Sequence, residues 1–277
     1  MALVLVVGLA GCGSDEPERA TKASAAEVTV VAHDYRFDVP ATVRGGLVDV
    51  SLRNAGAEPH FVDIATMTPE ATLTDVKAAL SPPPGSPAPA TTGPALFERF
   101  AGVSTMDPGR TGKATLNLPA GRYAFFCRLP SPDGIRHVAK GMITEVTVTE
   151  APDGDLPEAV GTIVATDFAY AGVPTLTAGT RVVRLLNAGG QFHEINLVEV
   201  AAGGTIDDVV AWFKHPIGAP PMKSVGGASI RPGRETAATI QLEPGSHYAF
   251  VCGIPDVLGD RALHVTKGMF TPVFAVG

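Results

Sequence analysis

Four residue types recur in one order along this chain, as His60, Cys127, His137 and Met142, then as His193, Cys252, His264 and Met269. Two imidazoles, a thiolate and a thioether are the donors of a mononuclear copper electron-transfer centre. There the nitrogens and the thiolate form a trigonal plane and the thioether stands at long axial range. One such set arises easily by chance, but two in register do not. The copies are offset by 133 residues at the first histidine, 125 at the cysteine, and 127 at the second histidine and the methionine. The chain therefore reads as a tandem duplication. Four of its seven histidines and two of its six methionines fall at these matched positions. His33, His215 and His247 have no counterparts and read as surface residues.

The chain has only three cysteines. The first, Cys12, closes an almost wholly apolar run, Met1 to Gly11, that ends Leu9-Ala10-Gly11-Cys12. This resembles a bacterial lipobox, in which the signal is cut before a cysteine that then carries lipid. A bilayer-spanning helix needs about 20 apolar residues, so a removed signal over 1–11 is the better reading. No Lys or Arg precedes the run, and a positively charged segment is expected upstream. Residues 12–26 read as a polar tether, which makes the protein extracytoplasmic and lipid-anchored to the bacterial cell membrane. Once Cys12 is assigned to lipid, neither repeat can close an internal disulfide. A bound metal would protect each remaining thiol; a Cys127–Cys252 bridge between the repeats is the alternative.

At 277 residues the chain is long enough for two domains, each with its own core. Its 31 glycines and 24 prolines suit many turns between short strands. A net charge of −7 and the lack of any basic cluster argue against a nucleic-acid partner. Alternating patterns open and close a first domain over 27–150, at Glu27-Val-Thr-Val and Glu145-Val-Thr-Val. Residues 151–158 form a short acidic linker, and a second domain occupies 159–277, set beside the first. In each repeat a strand runs through a turn, Asn54-Ala-Gly56 or Asn187-Ala-Gly189, into the strand that the first histidine begins. There Asn and Gly are expected to supply left-handed backbone. A helix follows, from Thr72 in one repeat and Thr205 in the other, each opening on a hydroxyl cap with acidic residues in its first turn. After it comes a Pro-rich loop, 81–94 or 215–221. This insertion is expected to pack beside the metal-binding end and limit access to it. Farther on, Tyr123, Phe125 and Cys127 share one face of a strand, as do Tyr248, Phe250 and Cys252.

Asn54-Ala-Gly56 through His60, Gly121 through Cys127 and His137-Val-Ala-Lys-Gly-Met142 resemble the signature segments of the cupredoxins, the plastocyanin and azurin group. The second repeat matches at Asn187 to His193, Tyr248 to Cys252 and His264 to Met269. The resemblance implies an all-β chain of two tandem Greek-key β-sandwich domains, each with a short helix in an insertion, and one copper ion per domain. Small cupredoxins place two to four residues between cysteine and second histidine; here nine (128–136) and eleven (253–263) intervene. Copper nitrite reductase domains also carry longer loops there. Multicopper oxidases and nitrite reductases place a histidine directly before the copper cysteine, where this chain has Phe126 and Val251. No motif for hydrolysis or nucleotide use is present. The expectation is a copper-binding electron-transfer protein, not itself an enzyme, that serves a redox partner protein. A copper carrier and a metal-free interaction module are the alternatives.

Overall fold

The computed structural model describes residues 24–81 and 95–276. The signal segment, Cys12, the tether up to residue 23 and the Pro-rich stretch 82–94 lie outside the described residues.

The first repeat contains β1 (Ala26–His33), β2 (Arg36–Asp38), β3 (Thr42–Arg44), β4 (Gly46–Asn54), β5 (His60–Met67), helix α1 (Leu73–Leu80), β6 (Phe97–Met106), β7 (Thr111–Leu118), β8 (Gly121–Phe126), the single-turn helix α2 (His137–Lys140) and β9 (Ile143–Thr149). The second repeats this order with β10 (Thr162–Thr166), β11 (Ala169–Ala171), β12 (Leu176–Thr177), β13 (Gly179–Asn187), β14 (His193–Val200), α3 (Ile206–Lys214), β15 (Met222–Ile230), β16 (Glu235–Leu242), β17 (His247–Val251), a 3-10 turn (His264–Lys267) and β18 (Phe270–Val276). Period-two alternation drives the strands. Along β4, Val48, Val50 and Leu52 turn inward while Asp49, Ser51 and Arg53 face out, so one face joins the core.

The two repeats are more intimately joined than a side-by-side arrangement. One sheet runs β11-β10-β13-β16-β7-β4-β1-β2 and the other β12-β18-β17-β14-β15-β6-β5-β8-β9-β3, so both cross from one repeat into the other. The crossing pairs are β16 with β7 and β15 with β6, both antiparallel. Thr236 Oγ1 adds a buried bond of 2.9 Å to the Thr115 carbonyl across this seam.

Helix α1 opens on a capping box, in which Thr72 Oγ1 accepts from Asp75 N–H and the Asp75 carboxylate accepts from Thr72 N–H. Val76 and Leu80, four apart on one helical face, are buried against Ala65, Met67, Ala124, Phe126 and Val138. The helix thus covers the outer face of β5 and β8 and touches α2, which begins at His137; Arg136 also donates to its last carbonyl, Leu80 O, at 3.0 Å. Helix α3 packs on the 3-10 turn at His264 in the same way.

Candidate metal centres

The cysteines stand one residue beyond β8 and β17, where the chain leaves the sheet. Alternation turns Tyr123, Phe125 and Cys127 into the core between the sheets, while Ala124 and Phe126 face α1. Cys127 N–H donates to the Met142 carbonyl at 3.1 Å, and Met142 N–H to the His137 carbonyl at 2.9 Å, which ties cysteine, histidine and methionine into one backbone unit. The second repeat has the same pair, Cys252 to Met269 at 3.1 Å and Met269 to His264 at 3.0 Å. Both thiols are free and fully buried, so the inter-repeat disulfide does not form. All eight matched side chains are buried completely.

Among the described residues, His60, Cys127 and His137 bring one donor atom each within 4.8 Å of one another, and so do His193, Cys252 and His264. In the first group the two Nδ1 atoms face each other at 3.0 Å, and Cys127 Sγ lies 3.5 Å from His137 Nδ1. The outward nitrogens are held by carboxylates, His60 Nε2 by Asp34 at 3.0 Å and His137 Nε2 by Glu58 at 2.8 Å. A carboxylate accepts from the nitrogen it holds, which places the proton on each Nε2 and leaves the two Nδ1 atoms facing each other, as lone pairs when both rings are neutral. That arrangement is repulsive unless a cation sits between them. Nitrogen and sulfur donors of this softness fit a first-row transition ion, with the carboxylates as its outer layer.

Burial shifts the protonation of these groups. It pushes the Cys127 thiol up to about 12, against the backbone N–H groups of Phe61 and Leu129 that point at the sulfur, and it pushes Cys252 up as well. Desolvation lowers His60 and His193 despite their aspartate partners, and lowers His264 to about 4. Burial opposes ionisation of Asp34, yet the Ala57 N–H, His60 and the Glu58 N–H hold its carboxyl below the usual range.

The second centre departs from the first at one partner. Asp167 holds His193 Nε2 at 2.8 Å as Asp34 holds His60, but Gln191 replaces Glu58 and accepts instead from Val257 N–H at 2.8 Å. His264 Nε2 is buried with no hydrogen-bond partner among the described residues. Its ring packs at 5.1 Å edge-on to Phe168, as His137 packs at 5.4 Å to Tyr35. Tyr35 and Phe168 both adopt left-handed backbone, φ 70° and 69°, a strained conformation kept at matched positions beside the second histidine.

Sequence reasoning missed these outer residues. The available signal was a repeated acid–aromatic pair, Asp34-Tyr35 and Asp167-Phe168, 26 positions before each first histidine when counted from the acid. It also misread the repeated turn glycines. Gly56 and Gly189 do not take left-handed backbone. Their need is space, since a Cβ on Gly56 would stand 2.3 Å from Asp34 Oδ1 and 2.7 Å from His60 Nε2, with 2.5 and 2.6 Å for the equivalent contacts of Gly189. Asn54 and Asn187 are buried and tie the turn together, Asn54 Nδ2 donating to the Glu58 and Met106 carbonyls at 2.8 Å. Of the histidines without counterparts, His33 pairs with Asp38 at 3.0 Å.

No family model and no curated protein matches the chain. Solved structures do. Over 46% of its length it is similar to the whole of a reduced auracyanin from Roseiflexus castenholzii, at 23% identity and a TM-score of 0.32. Over 91% of its length it is similar to 88% of a multicopper oxidase, at 14% identity and a TM-score of 0.25. It is likewise similar over 91% to 93% of a copper nitrite reductase from Nitrosomonas europaea, at 14% identity and a TM-score of 0.25. At these identities and TM-scores the likeness adds nothing to what the chain's own strand order shows, two repeats of one element order that share both sheets. The expectation that the chain is not an enzyme is corrected here. The neighbours that cover most of it are a multicopper oxidase and a copper nitrite reductase, both enzymes, which points against that expectation.

Proposed function

We propose that the chain binds one copper ion per domain and moves single electrons outside the cytoplasm. His60, Cys127, His137 and Met142 would hold the ion in the first domain, and His193, Cys252, His264 and Met269 in the second. The observation that carries this reading is the pair of imidazoles whose Nε2 atoms are pinned by carboxylates while their Nδ1 lone pairs converge beside a buried sulfur. Copper supplies a one-electron couple in such a donor set. The protein fixes the ring tautomers, aims the Phe61 and Leu129 N–H groups at the sulfur, and excludes water from all four side chains. That enclosure favours electron transfer over a carrier, which needs an open site to hand its ion on. Cys12 is the residue we assign to lipid, and a redox protein at the membrane surface is the partner that such anchoring suits; no described helix is long and apolar enough to cross a membrane.

Adding Cu(II) to the purified, reduced protein tests the reading. Intense visible thiolate-to-copper absorption is expected, with Cys127→Ser and Cys252→Ser each removing its own share, because a hydroxyl cannot supply that transition. Weak or transient colour would favour the carrier, and none the metal-free module. Membrane fractionation of Cys12→Ala tests the anchor, and the variant is expected in the soluble fraction.

A further inference from the structure

The cysteines of the two centres lie on one row of the large sheet. Cys127 follows Phe126, which pairs with Asp63, so it stands abreast of Val62; Val62 pairs with Val103, Val103 with Ala228, and Ala228 with Ile195. Cys252 stands abreast of Ile195, because Val251 pairs with Asn196. From β8 to β17 is five strand spacings, or about 24 Å at about 4.8 Å each. The centres cannot touch across that span, and whatever fills it governs their communication.

A continuous chain of polar and aromatic contacts fills it. Arg128, bonded directly to Cys127, donates from Nη2 to Asp63 Oδ2 at 3.2 Å. Arg99 on β6 donates from Nη2 to the other oxygen of Asp63 at 2.8 Å. The Arg99 guanidinium carbon lies 3.7 Å from the centre of the Phe192 ring, across the seam. Phe192 is bonded directly to His193. Asp63 is only 5% exposed in its side chain and Arg99 17%, so water screens little of this chain. A buried ion cluster that merely docked two domains would have no reason to begin next to one ligand cysteine and end next to a ligand histidine of the other centre.

We propose that the two centres exchange electrons within the molecule along Cys127–Arg128–Asp63–Arg99–Phe192–His193. This rests on the copper reading above. One electron leaves the reduced centre in one domain and reduces the oxidised centre in the other; no proton, ligand or bond moves. The consequence is a molecule that can accept an electron at one domain and release it from the other.

The test uses the full chain loaded with copper, in a Met142→Leu background. Removing that axial donor raises the potential of the first centre, which gives the exchange a direction. A substoichiometric pulse of a small-molecule reductant is followed by the two visible bands, with Cys127→Ser and Cys252→Ser proteins as single-centre references. The expected result is redistribution toward the first centre at a rate independent of protein concentration, slowed several-fold by Phe192→Leu and by Arg99→Met while both bands persist. If Arg99→Met does not fold, Phe192→Leu alone decides. Redistribution that scales with protein concentration, or that neither variant slows, overturns the bridge. Absence of a visible band at both centres before any pulse overturns the copper reading instead, and the bridge with it.

Discussion

Glu58 and Gln191 occupy the same place in the two repeats and do different things. Glu58 holds His137 Nε2 and also accepts from the Tyr35 hydroxyl at 2.6 Å, whereas Gln191 turns to the loop and leaves His264 Nε2 without a partner. An anionic partner makes an imidazole a stronger donor and favours the more highly charged ion. Glu58→Gln is therefore expected to weaken copper binding at the first centre about 10–100-fold and raise its reduction potential, with the second centre unchanged as an internal control. A metal titration and a site-resolved redox titration would read both effects. Protonation offers a second handle. His264 falls from the ordinary 6.5 to about 4 because it is desolvated. Below pH 6.5 the unfolded chain takes up a proton there that the folded chain refuses, so its contribution to stability is full above 6.5 and is lost as pH falls toward 4. Denaturant midpoints of the metal-free protein should drop between pH 7 and 5; a flat profile would mean that this ring is solvated. The four histidines and two cysteines that converge in two groups were legible because duplication marks them twice, even among seven histidines. Asp34 and Asp167 were not, since a carboxylate that orients a histidine carries no spacing rule of its own and hides among 28 acidic residues.

Strands and helices were legible where pattern and packing agree. The alternation of β4 and the hydroxyl caps of α1 and α3 both appear in the fold. The second histidines told less. His137 opens a single helical turn and His264 a 3-10 turn, elements too short to leave a period, and both follow extra residues clasped by bridges at Pro130–Arg136 and Pro255–Leu263. Those bridges close the long loops back on themselves, which is how nine and eleven residues still deliver a histidine to its cysteine. Helix α1 then leans on α2, so Thr72→Ala should loosen more than its own helix. A loss of about 1 kcal/mol is expected from the cap, seen as faster amide exchange in α1 and at Val138. On β15 the register shifts opposite Leu197 and Val198, beside Gly226 and Gly227. Gly227 sits at φ 137°, where a Cβ would meet the Ile195 carbonyl oxygen at 1.8 Å. Gly227→Ala combines that overlap with a backbone L residues avoid, and it is expected to lower the thermal midpoint by more than any cap variant.

Nothing in the sequence announced that the sheets would run through both repeats. Strand pairing between repeats depends on which edges meet, and an edge strand such as β6 or β7 has the same alternation whether its outer neighbour is water or β15 or β16. The fold uses those edges as its seam, and it adds Arg99 on Phe192, Arg231 on Glu98 at 2.9 Å and Ser104 on Glu194 at 3.2 Å across it. Each domain alone would therefore expose two long unpaired edges and lose the cross-seam contacts of Arg99 with Phe192 and of Ser104 with Glu194, the latter a carboxyl that burial already pushes up to about 7. Two consequences can be measured. The metal-free chain should unfold in one calorimetric transition, with van't Hoff and calorimetric enthalpies equal, although its repeats are each large enough to fold separately. Residues 27–150 expressed alone should self-associate through β6 and β7, because a second copy is the nearest substitute for the missing half. Two resolved transitions together with a monomeric, stable fragment would mean that the seam is a weak contact between independent domains. A seam that weak could not hold Arg99 against Phe192, and the proposed path between the two centres would lose its physical basis.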